Sequence, residues 1–131
     1  MTDAMGLYSA ASADYANAMG IYSAASADYA NAIGSYANVS AAYSVALGSL
    51  SVADREAGMA GYDPVTGDKS ADESSVWKAN AGAVSIGSSA DGEEITRQIT
   101  NVAAGTEDTD AVNVAQSVSY THLTLPTKLE V

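Results

Sequence analysis

The sequence predicts an all-β fold, a parallel β-roll wound from successive short coils of equal length. Three observations support this prediction. Glycine recurs at every fourteenth position from Gly6 to Gly48, the units beginning at Gly6 and Gly20 are identical at twelve of fourteen positions, and large and small side chains alternate within each unit. A short fixed period indicates one supersecondary unit stacked on copies of itself.

The alternation within a unit predicts strands. Tyr15, Asn17 and Met19 alternate with Ala16 and Ala18, and the segment 43–47 repeats this pattern. A period of two places large residues on one face of a strand and small residues on the other. We therefore expect two short strands in each coil, with turns near the glycine and near residues 12–14. An Ala-rich helix is the alternative, but a glycine in every unit would cost that helix about 1 kcal/mol each.

Composition restricts what can fill the roll. The chain of 131 residues contains 27 Ala but only 22 Leu, Ile or Val, and no Phe. A core of large side chains is therefore not expected, and Ala and Ser are predicted to fill a narrow lumen. The face that carries Tyr, Val and Leu would then need a second copy of the chain to cover it.

Charge and residue types exclude several function classes. The net charge of −11 opposes binding to nucleic acid, and the absence of Cys excludes disulfides and thiolate metal sites. Without a long apolar run, no direct membrane contact by this segment is expected. His122 is the only histidine, so no acid–base or nucleophilic constellation can be assembled. We expect no enzymatic activity, no cofactor and no metal.

The segment 54–82 interrupts the repeat. Residues 62–67 form a turn pattern around Pro64, and Val76 and Trp77 are the expected anchors of the segment. It is either a ligand-contacting loop or a solvated insertion with one packed Trp. Residues 83–87 return to the coil pattern.

Three stretches resemble the YadA-like heads and necks of trimeric autotransporter adhesins. Residues 43–53, YSVALGSLSVA, are similar to the SVAIG-type head repeat. Residues 97–116, RQITNVAAGTEDTDAVNVAQ, resemble the neck motif over twenty consecutive positions, and residues 61–87 are similar to an insertion seen in some heads of the family. The resemblance covers about residues 1–116.

The resemblance implies a left-handed parallel β-roll, a homotrimer, and a neck that leads into a short α-helical or coiled-coil start. It also implies a place on the bacterial outer membrane, through an anchor that lies outside this sequence, and attachment to host matrix, host cells or other bacteria. The expected divisions are 1–53 for the head repeats, 54–82 for the insertion, 83–93 for the last head coil, 94–116 for the neck, and 117–131 for an atypical tail outside the fold.

Two sets of residues are expected to serve this function. The candidates for trimer or core packing are Val45, Leu47, Val84, Ile86, Ile99, Val102, Val112 and Val114. The candidates for ligand contact are Tyr8, Tyr22, Tyr36 and Trp77. The three tyrosines are spaced fourteen positions apart and should form a column, which either contacts a ligand or serves structural packing.

The neck motif carries an acidic stretch before an apolar helical pattern. Thr109 or Asp108 is a candidate helix cap, and a cation site built from Glu107, Asp108 and Asp110 is the alternative. Arg97 either reaches an acid on a neighbouring chain or forms a surface ion pair. The overall alternative to an adhesin is a stand-alone solenoid that binds a lattice such as ice or a polysaccharide.

Overall fold

The computed structural model describes residues 1–119 and divides into two compact units, Met1–Arg97 and Gln98 onward. The first unit is built of short strands. Its strands are β1 (Asp3–Met5), β2 (Ala10–Ala11), β3 (Asn17–Met19), β4 (Ala24–Ala25), β5 (Asn31–Ile33), β6 (Asn38–Val39), β7 (Val45–Leu47), β8 (Val52–Ala53), β9 (Tyr62–Asp63), β10 (Asp68–Lys69) and β11 (Val84–Ser85).

These strands wind into a parallel β-solenoid with two sheets. One sheet has the order β1-β3-β5-β7-β11 and the other the order β2-β4-β6-β8, so the first four coils each contribute one strand to each sheet and β11 extends the first sheet. Every pairing in the two sheets is parallel. In the repeat coils each residue pairs with its equivalent in the next coil, as Asn17 does with Asn31 and Met19 with Ile33. The prediction of an all-β roll with two strands per coil is confirmed, and the helical alternative is wrong.

The corners of the roll follow a period of seven positions. The alternation predicts Tyr15 in a strand, but this residue lies in a turn in which the Ala16 N–H donates to the Ala13 carbonyl at 3.2 Å. The third residue of each corner turn has a positive φ, between 57° and 66°, and these residues are Tyr8, Tyr15, Tyr22, Tyr29, Tyr36, Tyr43 and Leu50. Each coil therefore consists of two similar halves, each with one turn and one strand.

The lumen is filled by small side chains, as predicted. Within residues 1–119 the fully buried apolar residues are nine alanines and a single valine, Val39, and they are joined by Ser23, Ser44 and Ser51. Two short facing strands leave room for little more than a methyl or hydroxymethyl group from each side. The large side chains of the strands therefore project outward.

The glycine of each coil is required by the stacking distance. Gly34 has φ +128°, and a Cβ added there would lie 2.6 Å from the carbonyl carbon of Gly48 in the next coil. Only a residue without a side chain allows the two backbones to approach this closely.

The insertion folds back on itself as a hairpin. β9 and β10 pair antiparallel, and the Gly61 N–H donates to the Trp77 carbonyl at 2.7 Å. Trp77 is half-buried, whereas Val76 is 48% exposed and does not anchor the segment as expected. The carbonyl of Arg55 accepts from the Ala83 N–H, which returns the chain to the roll.

The second unit is a compact loop followed by a helix that spans 114–119 within the described residues. The expected caps Thr109 and Asp108 are wrong, because the Asn113 Oδ1 accepts from the Gln116 N–H at 2.9 Å. That bond satisfies a free donor of the first helical turn. Of the predicted tail 117–131, all residues beyond 119, His122 among them, lie outside the described part of the chain.

Candidate binding surface

Two columns of stacked tyrosines run along opposite corners of the roll. In the first tyrosine column, Tyr8, Tyr22 and Tyr36 have ring centroids 5.0 and 5.1 Å apart. In the second tyrosine column, Tyr15, Tyr29 and Tyr43 are 4.9 and 4.7 Å apart. The rings inherit the spacing of parallel strands, about 4.8 Å.

Backbone hydrogen bonds hold the columns in register. The Tyr22 N–H donates to the Leu7 carbonyl at 2.9 Å, and the Tyr29 N–H donates to the Asp14 carbonyl at 2.8 Å. The rings are between 44% and 67% exposed, so their edges and hydroxyl groups face solvent while their faces are used for stacking.

The two columns have different neighbours. The residue before each tyrosine of the first column is Leu7, Ile21 or Ser35, and in the second column it is Asp14, Asp28 or Ala42. One corner of the roll is therefore partly apolar and the other is acidic.

A third feature, the apolar row, runs along the outer face of the five-stranded sheet. It consists of Met5, Met19, Ile33 and Leu47, which pair in register in successive coils and are between 39% and 62% exposed. Beside it, the Asn17 Nδ2 donates to the Asn31 Oδ1 at 2.9 Å. The row is excluded from the narrow lumen and is not covered within the single chain.

The predicted packing residues lie on the outside of the single chain. In the first unit Leu47 and Val84 are 41% and 62% exposed, while Val45 and Ile86 are half-buried. In the second unit Val102 is half-buried, and the remaining residues, Ile99, Val112 and Val114, are 70%, 64% and 80% exposed. None of these eight belongs to the buried core, and their role in trimer packing stays a prediction.

Arg97 closes the glycine column at the end of the roll. Its guanidinium lies over Gly48, where a Cβ would meet the Arg97 Cζ at 3.0 Å. It donates to the carbonyls of Ser49 and Ile86, both at 2.6 Å, and to the Ser51 hydroxyl at 3.1 Å. Within the described residues this side chain is bound to its own chain and makes no ion pair, so the expected surface ion pair is wrong and a contact with an acid of a neighbouring chain stays a prediction.

The loop of the second unit is closed by two side chains. The Asp110 carboxylate accepts from the N–H groups of Thr106 and Glu107 at 2.9 and 3.1 Å, and these bonds hold the pKa of Asp110 below its ordinary value. The Gln116 amide pairs with the backbone of Gly105, donating to its carbonyl at 3.1 Å and accepting from its N–H at 3.0 Å.

Neither metal chemistry nor a membrane-spanning helix is evident in residues 1–119. No three His, Cys, Asp or Glu side chains are grouped there as metal ligands, so the alternative cation site at Glu107, Asp108 and Asp110 is not assembled. No helix in this range is long and apolar enough to cross a membrane.

Comparison with known proteins finds similar segments in one family. Residues 98–116 match the family described as the coiled stalk of trimeric autotransporter adhesin. Half of the chain is 64% identical, over 66 residues, to the autotransporter adhesin BadA of Bartonella henselae, and half is 47% identical, over 68 residues, to the trimeric autotransporter adhesin AtaA of Acinetobacter sp. (strain Tol 5). The resemblance to trimeric autotransporter adhesins predicted from the sequence is confirmed over these segments.

Solved structures extend this likeness to the roll. The chain is similar to the collagen-binding domain of the Yersinia adhesin YadA, with a TM-score of 0.60 and 31% identity over 92% of this chain and 59% of that one. It is also similar to the C-terminal YadA-like domain of BPSL2063 from Burkholderia pseudomallei, with a TM-score of 0.53 and 26% identity over 99% and 49% of the two chains. It spans only 2% of the length of BadA and of AtaA.

Sequence reasoning missed several features of this chain. The second tyrosine column was missed because the repeat was divided into units of fourteen, although tyrosine recurs at every seventh position from Tyr8 to Tyr43. No local sequence pattern predicts the hydrogen bonds of Arg97 or the pairing of Gln116 with Gly105, because the bonded residues are 11 to 48 positions apart in the chain.

Proposed function

We propose that this chain is the head and neck segment of a homotrimeric adhesin on the bacterial outer membrane, and that its roll attaches the cell to a host matrix protein. The observation that carries the proposal is the likeness to the collagen-binding domain of YadA over 92% of the chain. No reaction is assigned to it, and adhesion needs none.

The apolar row supports the trimer. Met19, Ile33 and Leu47 remain 44%, 39% and 41% exposed although the lumen of the same coils is completely buried. A repetitive row of large apolar side chains on a flat sheet is typical of a surface that packs against another copy. Three copies would each contribute such a row to a shared central core.

The tyrosine columns and Trp77 support the ligand-contacting role. Amphipathic Tyr and Trp side chains are enriched in protein interfaces, and both columns repeat the same contact several times along one rigid edge. Three chains with a net charge of −11 each carry −33 in total, which favours a basic ligand at the acidic second tyrosine column. Weak contacts repeated on three chains act together through avidity.

The trimer is tested with the full chain and two variants that each place one Asp on an exposed strand position. Ile33→Asp puts a charge in the apolar row, whereas Asn38→Asp puts the same charge on the outer face of the four-stranded sheet. In analytical ultracentrifugation we expect the native chain and Asn38→Asp to sediment as trimers and Ile33→Asp to dissociate. A native monomer with complete β-sheet circular dichroism would contradict the trimer and favour the lattice-binding solenoid.

Ligand binding is tested on surfaces coated separately with collagen, fibronectin and laminin. The trimer should bind at least one of them, and the dissociated Ile33→Asp variant should bind it far more weakly because avidity is lost. Trimers that bind none of the three would overturn the matrix ligand, and adhesion to host cells or to other bacteria would then be measured in its place.

A further inference from the structure

We propose that the two tyrosine columns are sites of oxidative cross-linking, in which a peroxidase and hydrogen peroxide join tyrosines of neighbouring coils into dityrosine within one chain. The ligand-contacting role proposed above is not needed for this inference. It rests on the stacking geometry, on the exposure of the rings and on the absence of Cys.

The stacking brings the reacting rings together before oxidation. Neighbouring centroids are 4.7 to 5.1 Å apart and the ring planes are 8° to 20° from parallel. Each pair is held in register by backbone hydrogen bonds between coils, such as that from the Tyr36 N–H to the Ile21 carbonyl at 2.8 Å. Two groups held in contact react as if at very high concentration, so neighbours in a column should couple before other tyrosines do.

The rings are also accessible to an oxidant. Tyr29 is the most covered of the six at 44% exposed, and Tyr8 is the least covered at 67%. Tyr22 and Tyr29 are stacked on both faces, so the exposed part of these rings is the edge, which carries the hydroxyl group and the ortho carbons where phenoxyl radicals couple.

The reaction balances with peroxide as the oxidant. Each of two phenols loses one electron and one proton, and the two radicals join through a carbon–carbon bond between their ortho carbons. The two ortho hydrogens then shift to the oxygens and restore the phenols. Hydrogen peroxide is reduced to two molecules of water, and the chain loses two hydrogens for each link.

Such a link would be a covalent cross-link between coils. Its sequence contains no Cys, so no disulfide can join its coils. A dityrosine between equivalent positions of adjacent coils would tie one coil to the next along the axis of the roll and limit unwinding.

The test compares a stacked pair of tyrosines with a pair that is not stacked. One variant of the full chain keeps only Tyr8 and Tyr22, which stack, and a matched variant keeps only Tyr8 and Tyr15, which belong to different columns. All other tyrosines become Phe, which preserves an aromatic ring at each corner. Both variants are treated with horseradish peroxidase and hydrogen peroxide at low protein concentration, and dityrosine fluorescence is followed over time.

We expect the stacked pair to form dityrosine about tenfold faster or more than the unstacked pair, with a mass loss of two hydrogens and the mobility of a single chain on a denaturing gel. Unfolding both variants in urea should remove the difference. Equal rates in the folded variants, or a product that migrates as two joined chains, would overturn the proposal. Circular dichroism of both variants before oxidation shows that the roll is intact.

Discussion

Replacing Gly34 with Ala should severely destabilise the roll, because two separate costs arise at this position. The backbone has φ +128°, a conformation that residues with a side chain rarely adopt, and this costs about 1–3 kcal/mol. The added Cβ would lie 2.6 Å from the carbonyl carbon of Gly48 and 2.8 Å from the Ser49 nitrogen. Forcing packed backbone apart costs about 1–3 kcal/mol more.

The total, about 2–6 kcal/mol, is a large part of the roughly 5–15 kcal/mol that stabilises a typical domain. Gly67→Ala is the matched control, because Gly67 also has a positive φ, +73°, but has no atom within 4 Å of the position of a Cβ. It should cost only the conformational part, about 1–2 kcal/mol.

The assay is urea unfolding of the full chain, followed by far-ultraviolet circular dichroism. The midpoint for Gly34→Ala should fall well below the midpoint for Gly67→Ala, and both should fall below that of the native chain. If the two variants unfold at the same midpoint, close approach between coils does not explain the glycine repeat.

Three further predictions concern the end of the roll and the neck. Arg97→Lys should lower the free energy of unfolding by about 1–2 kcal/mol in urea titrations, because an ammonium group cannot reproduce the planar set of bonds to two carbonyls; an unchanged midpoint would show that this cap adds no stability. Gln116→Met removes both the acceptor of the Gly105 N–H and the donor to the Gly105 carbonyl, so amide exchange at Gly105 should accelerate several-fold, and an exchange rate equal to that of the native chain would contradict the pairing. The pKa of Asp110 is lowered in the folded state by the N–H groups of Thr106 and Glu107, so this carboxylate supports the neck loop above the ordinary Asp pKa and the support is lost as the pH falls through the lowered value. An NMR titration of Asp110 that gave an ordinary or raised pKa would refute this assignment.

The repeat and the composition predicted the roll correctly, because the fold of each coil depends on residues that are close together in the sequence. The regular spacing of the glycines predicts the length of the coil. The alternation of Asn17 and Met19 with Ala16 and Ala18 predicts which side chains face the lumen, and the two alanines are fully buried. The expected lumen of Ala and Ser followed from the lack of large apolar residues, since two strands that face each other closely can enclose only small side chains.

The corner tyrosines show where pattern reading failed. Tyr15 continues the alternation of the strand that follows it, so periodicity alone extended the strand by two residues. Its φ of 57° places it in the turn, a conformation that is uncommon for a residue with a bulky side chain. Each ring stacks on the rings of adjacent coils, and this contact exists only after the coils are wound.

The sequence alone determined the period, the size of the lumen and the family resemblance, because each depends on residues that lie close together in the chain. Tertiary structure alone decided that Arg97 covers the last glycine, that Asn113 rather than Asp108 caps the helix, and that Gln116 pairs with Gly105. Each of these hydrogen bonds forms only where the folded backbone points a donor at an acceptor. The number of residues between the two partners does not predict that orientation.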